Sequence, residues 1–424
     1  MLTLLLLFAS ASSDWSEAAA RDEIKPRFRR SEQALLIEAD GRPGLNGFWQ
    51  RTYPVQGGSY YHVSVRRRTT GIESPAQCTP VRVVWLNAAG QRVPESRPQV
   101  TGVLENHRPT VGAEYPVDGP VGSDGWAVVE GTYLAPAAAR QALVELHLQW
   151  ATAGRVEWRN AAFAAVEKPA PRKARLATIH LQPRQGTTAQ EKREQYAGLI
   201  ARAAEQKADL VVLGETLTYY GSGRTPGETA EPIPGPSSTY FAELARKHGL
   251  YIVAGLFERE GRAVYNSAIL AAPDGTLAGK YRKVALPESE IEAGVTPGLE
   301  YPVFDTRFGR LGIMICYDGF FPEVARELTK RGAEVIAWPV WGVNPELARA
   351  RAAENHVYLV SSTYEPVSSQ WGYSAVWDHA GRTIAKAQDW GTVVLAEVDL
   401  AEPTRWKYLG DFRQRIPRHL PLAK

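Results

Sequence analysis

The chain has 424 residues, 44% of them hydrophobic and 22% charged, with a net charge of +3. That length suggests two domains or more, and the composition is that of an ordinary folded protein rather than a disordered or fibrous one. A charge this small, with only Arg66-Arg67-Arg68 as a prominent basic run, argues against nucleic acid as a partner, and two cysteines, Cys78 and Cys316, cannot build a disulfide framework and are expected to be reduced.

Residues 1–13, MLTLLLLFASASS, join an apolar run to Ala9-Ser10-Ala11, the small-residue pattern of a cleaved secretory signal. The expectation is export to the periplasm or the exterior; were the segment not a working signal, the chain would stay in the cytoplasm. No apolar stretch is long enough for a membrane anchor.

Residues 14–42 read as a charged lead-in with one short strand at 34–37. Segments 48–55, 60–67, 81–86, 125–133, 142–149 and 155–163 are then rich in Val, Tyr, Trp and Thr and are separated by Gly, Pro and Asn. Alternation such as Tyr61-His62-Val63-Ser64-Val65 makes residues 14–166 an antiparallel β-sandwich. The pattern resembles the jelly-roll, galactose-binding-like modules of secreted enzymes, which implies a glycan as a candidate ligand. Trp49, Trp85, Trp126, Trp150 and Trp158 are expected mostly to fill its core, leaving one or two to stack on a sugar.

Residues 167–175, EKPAPRKAR, form a Pro- and charge-rich linker. From 176 to 424 strands alternate with helices: a strand at 176–181, an amphipathic helix at 189–206, and a buried strand at 210–213 that runs into Gly214-Glu215. A polar loop at 219–236, a helix at 239–248 and strands at 251–256, 263–271 and 277–284 follow. Residues 309–339 then read as buried strand, sharp turn with Cys316, helix and second buried strand. A thiol at a strand end beside a helix N-terminus is expected to favour the thiolate, and the nearby N–H groups to suit an oxyanion.

Three segments carry chemistry: Asp209-Leu-Val-Val-Leu-Gly-Glu215, Gly279-Lys-Tyr-Arg-Lys283 and the Cys316 turn. A thiol can attack the carbon of a C–N bond, a carboxylate can carry its proton to the leaving amine, and a fixed cation can hold the oxyanion. With Ala350-Arg351-Ala352-Ala353-Glu354-Asn355 and Gly372-Tyr-Ser374-Ala-Val-Trp-Asp378 following in order, the chain resembles the nitrilase, or carbon–nitrogen hydrolase, superfamily over residues 174–400. Ala285, where some relatives have a histidine, is a departure that bears on subfamily and not on the triad.

The resemblance implies a four-layer αββα fold that pairs into homodimers or larger assemblies. It also implies a Glu215–Lys283–Cys316 triad, with no metal and no cofactor. The Tyr317 backbone N–H would assist the oxyanion, and Glu290, chosen over Glu288 and Glu292, would support the lysine. Tyr219, Trp338 and Trp341 are expected to line the substrate pocket. The implied activity is hydrolysis of a small amide or N-carbamoyl compound through a cysteine thioester. Acyl transfer to an amine by the same nucleophile is the alternative within the class. A glycan-binding protein with a catalytically inactive hydrolase fold is the alternative outside it.

Overall fold

The computed structural model describes residues 14–100, 112–369, 371–402, 404–407 and 409–421; the leader read at 1–13 lies outside them. The chain divides into two compact units, Met1–Ala170 with Thr404–Lys424, and Pro171–Pro403. Among the described residues, no helix is long and apolar enough to cross a membrane.

The first unit is β-rich. Ser16–Ala19, Asn46–Pro54, Gln141–Gln149 and Val81–Leu86 form one antiparallel sheet. Arg27–Arg30, Leu35–Glu38, Arg155–Val166, Tyr60–Thr70, Ala127–Leu134 and Val117–Val121 form a second. Period-2 side chains from both sheets, including Trp49, Trp85, Val144, Leu146, Val63, Val65 and Trp158, meet in one apolar cluster. Trp126 is nearly buried, while Trp150 keeps 45% of its surface.

Two features of this unit differ from the sequence expectation. The lead-in holds three strands, not one, because Arg27–Arg30 pairs along the edge of Leu35–Glu38 with Phe28 as its inward contact. Residues 404–424, assigned above to the hydrolase part, cluster with the first unit. There Arg405 ion-pairs with Glu95 at 2.8 Å and with Glu114, and the helix Phe412–His419 sends Arg418 to Asp118 at 3.3 Å.

The second unit begins inside the expected linker, at the strand Lys173–His180. Its first sheet runs Leu277–Arg282, Ala263–Ala271, Tyr251–Glu260, Leu210–Val212, Lys173–His180, Thr392–Asp399; Leu210–Val212 pairs in parallel with both its neighbours, and the other three pairings are antiparallel. The second sheet runs Val303–Asp305, Arg310–Ile313, Val335–Pro339, Tyr358–Ser362, Ala375–Trp377, Thr383–Lys386, again with a parallel centre.

Alternate residues of each strand serve different layers. Leu210, Val212, Leu311, Ile313, Val335 and Ala337 meet between the sheets. Val211, Ile252 and Ala254 face Ile200, Phe241 and Ala245 of the helices on one side. Ile336, Trp338 and Leu359 face Val324, Leu328 and Ala352 on the other. Strands covered on both faces explain why these segments read as unbroken apolar runs. The expected helix at 189–206 is two, Ala189–Glu194 and Ala197–Glu205, and the loop at 219–236 contains a short helix, Pro226–Thr229.

Candidate active site

The two sheets each deliver one reactive group at the carboxyl end of a central parallel strand. Leu210–Val212 leads into Glu215, and Arg310–Ile313 leads into Cys316. Both turns are tight. Cys316 has φ 40° and Thr216, just after Glu215, has φ 42°. A side-chain-bearing residue in that region costs about 1–3 kcal/mol, so packing must hold each one there.

The packing is visible around both turns. Trp338 Nε1 donates to the Cys316 carbonyl at 3.1 Å, and a Cβ at Gly319 would lie 2.0 Å from the Trp338 ring, so only glycine lets the indole fit beneath the turn. Arg351 Nε donates to the Gly319 carbonyl at 3.0 Å from the helix Pro345–Asn355. On the other side, Tyr364 Oη donates to the Glu215 carbonyl at 2.7 Å, and Trp341 Nε1 donates to Thr216 Oγ1 at 3.1 Å.

Lys283 lies at the end of the strand Leu277–Arg282 and is 1% exposed, as is Glu215. Its Nζ donates to Glu215 Oε1 at 2.9 Å and to Glu290 Oε1 at 2.7 Å. Asn266 Nδ2 donates to the same two oxygens, at 2.7 and 2.9 Å. Of the three glutamates on Glu288–Glu292, Glu290 is therefore the one brought to the lysine. Burial alone would lower the Lys283 pKa, but the charges of Glu215, Cys316 and Glu290 hold it above the ordinary lysine value. Burial, with the Glu215 charge, raises Glu290 against the pull of Lys283.

Cys316 is half-buried and outside any disulfide. Burial, then the neighbouring Glu215 charge, pushes its thiol well above the usual cysteine range; Lys283 and the Trp341 backbone N–H pull the other way without prevailing. The expected thiolate is thus corrected to a resting thiol beside a carboxylate. The helix dipole does not reach it, because a 3-10 turn, Cys316–Phe320, separates it from the helix Pro322–Lys330.

Tyr317 sits in that turn with its ring 5.3 Å from Phe320 and 5.2 Å from Phe321. Trp341, 39% exposed, is grouped with Tyr219, Tyr220 and Tyr364. Trp338 is a correction: at 1% exposure it supports the turn from below and presents no surface to a ligand.

Asn266, Asp318, Arg351 and Tyr364 were not picked out from the sequence as site residues. Asp318, fully buried, accepts from the Ile315 N–H at 2.8 Å, the Ala285 N–H at 2.9 Å and Tyr281 Oη at 2.7 Å, tying the lysine segment to the cysteine turn. Burial still pushes its carboxyl up to about 6 against those three donors. The signal available was its place two residues after the cysteine.

Residues 175–408 match the sequence model of the carbon–nitrogen hydrolases. The omega-amidase NIT2 of Bos taurus is 33% identical over 269 residues, spanning 57% of this chain and 92% of the relative. A nitrilase of Pyrococcus abyssi is 44% identical over 172 residues, spanning 39% of this chain and 65% of the relative. Among solved structures, Saccharomyces cerevisiae Nit3, a member of branch 10 of the nitrilase superfamily, aligns with a TM-score of 0.49 and 28% identity over 59% of this chain and 96% of its own.

Proposed function

The chain belongs to the carbon–nitrogen hydrolase family, and from that premise we propose that it hydrolyses a non-peptide C–N bond, in a small amide or N-carbamoyl compound, through a thioester on Cys316. The observation that carries this reading is the buried Glu215–Lys283–Glu290 group beside the Cys316 thiol, whose pKa burial raises.

A neutral thiol needs a base at the moment of attack, and Glu215 is that base. As sulfur bonds to the substrate carbon, the thiol proton passes to Glu215. Lys283 and the Tyr317 N–H stabilise the tetrahedral oxyanion. Protonated Glu215 then gives its proton to the departing nitrogen, and ammonia or an amine leaves. Water attacks the thioester with Glu215 again as base, and the released thiol takes the proton back. Glu290 and Asn266 keep Lys283 and Glu215 aligned through these charge changes.

The remaining expectations enter as parts of the same proposal: a jelly-roll first domain offering Trp150 to a glycan, export directed by residues 1–13, and assembly into homodimers or larger oligomers. The test of the catalytic reading is intact-mass spectrometry during turnover of small amides, N-carbamoyl compounds and nitriles, with ammonia release recorded in parallel. A transient adduct whose mass equals the acyl part is expected on the wild-type chain and not on Cys316→Ala. Full turnover by Cys316→Ala would overturn it.

A further inference from the structure

The wall beside the thiol carries a charge that the hydrolytic steps do not use. Trp341, whose indole donates to Thr216 Oγ1 at 3.1 Å beside Glu215, is followed by Gly342. A Cβ at Gly342 would lie 3.1 Å from Glu365 Cγ and 3.4 Å from its Oε1, so the missing side chain makes room for this carboxylate. The strand-end segment that bears Glu365 is fixed to the same wall: Thr363 Oγ1 donates to the Trp341 carbonyl at 2.6 Å, and the Tyr364 N–H donates to it at 3.0 Å.

Glu365 is half-buried, and among the described residues its carboxylate makes no hydrogen bond or ion pair; only its backbone N–H is engaged, with Thr363 Oγ1. Its oxygens stay open to solvent and unpaired, so this carboxylate is available to meet a cation. The rings next to it favour the same sign of charge. Trp341 is 39% exposed, with Tyr220 centred 5.1 Å and Tyr364 5.8 Å away, and aromatic faces attract cations. Lys192, near the Tyr220 loop, is fully buried with its Nζ on the Pro183 carbonyl, and Lys283 is held between two glutamates. Neither is free to receive an anionic group.

We infer that the site selects a substrate carrying a protonated amine at the end remote from the scissile C–N bond, with Glu365 and the Trp341–Tyr220–Tyr364 rings receiving the ammonium. The inference rests on the amide-hydrolase reading and sharpens it. Glu365 packs against Gly342, the residue after Trp341, whose indole reaches the Glu215 turn, so a short ω-amino acyl chain is the length to test. Discrimination by a charge pair of this kind reaches roughly ten- to a hundredfold.

The experiment compares 4-aminobutanamide, its uncharged isostere pentanamide and the anionic monoamide glutaramate as substrates of the full chain. The expected order of kcat/KM is 4-aminobutanamide, pentanamide, glutaramate, with at least a tenfold gap between the first two. In Glu365→Gln the ratio of the first two should fall towards one, and in Glu365→Lys the preference should turn to glutaramate. A mere loss of folding would lower all three rates together and leave the ratios alone. Equal rates in the wild type, a preference for glutaramate, or ratios unmoved in both variants would overturn the inference while leaving the hydrolase reading intact. No Cys316-dependent hydrolysis of any of the three would overturn the inference, and the absence of turnover and of any Cys316 adduct across the wider panel of amides, N-carbamoyl compounds and nitriles would overturn the hydrolase reading as well.

Discussion

Both units bury charged side chains, but they finish them differently. In the β-rich unit the buried polar atoms without hydrogen-bond partners are nitrogens, on Arg82, Trp85, His147, Trp158, Arg159, Trp406, Arg415 and Arg418. In the hydrolase unit, among the described residues, nitrogens such as those of His180, Arg193, Arg326 and Trp377 are joined by carboxylate and amide oxygens on Glu215, Asn266, Glu290 and Asn355, and all of these oxygens but the last surround Lys283. The unmet nitrogens are scattered through both units, Trp85, His147 and Trp158 among them. Acceptors gathered around one ammonium beside a thiol are lone pairs kept ready for a proton. Concentration of unmet acceptors at one point is what separates a site from a structural ion pair.

Two substitutions make that contrast measurable, because each removes a cation from between two glutamates. Lys283→Met should cost roughly a hundred- to a thousandfold in kcat/KM, the scale of a lost oxyanion donor, as measured by ammonia release. It should also destabilise the fold by about 3–5 kcal/mol unless one of the freed carboxyls takes a proton. Arg405→Met, between Glu95 and Glu114, should cost a similar about 3–5 kcal/mol in urea unfolding yet leave kcat per folded molecule unchanged. If both variants lost turnover in proportion to stability, the contrast between the units would collapse.

Asp318 gives a subtler test. Its folded pKa of about 6 lies above its ordinary 3.8, so the folded chain holds this proton more tightly than the unfolded one. The stability it contributes is fully present below pH 3.8 and is lost as pH rises through 6, on the order of 3 kcal/mol across the window. Asn cannot titrate. The stability of the wild type relative to Asp318→Asn should therefore fall between pH 4 and pH 7 in urea melts. A difference constant over that range would place the buried carboxyl's proton elsewhere.

What the sequence made legible follows the range of the interactions. Apolar runs and the short contexts around Glu215, Lys283 and Cys316 are local, and they lay in the right order along the chain. The choice of Glu290 over its neighbours depends on which carboxylate of a one-turn helix reaches a lysine seven positions back. Asn266 is a lone amide in an apolar strand, and its partner Glu215 is 51 positions away, so no pattern announces it. Trp338 misled because an aromatic after a strand reads alike whether it lines a pocket or props a turn. The rise in the thiol's pKa was hidden for the same reason: it is set first by burial and then by Glu215, which comes from another sheet. The strand Arg27–Arg30 escaped notice because three of its four residues are arginines, and the closing segment because its ion partners, Glu95 and Glu114, lie some three hundred positions earlier.

That closing segment has an architectural consequence. Because the chain leaves the first unit after residue 170 and rejoins it at 404, the hydrolase is an insertion. Its own first and last strands are antiparallel neighbours, Lys173 opposite Asp399, so entry and exit stand about one strand spacing, ~4.8 Å, apart. Such a cassette can be gained, lost or circularly permuted as a block without its ends having to travel. A single proteolytic nick at either crossing would leave it covalently attached through the other.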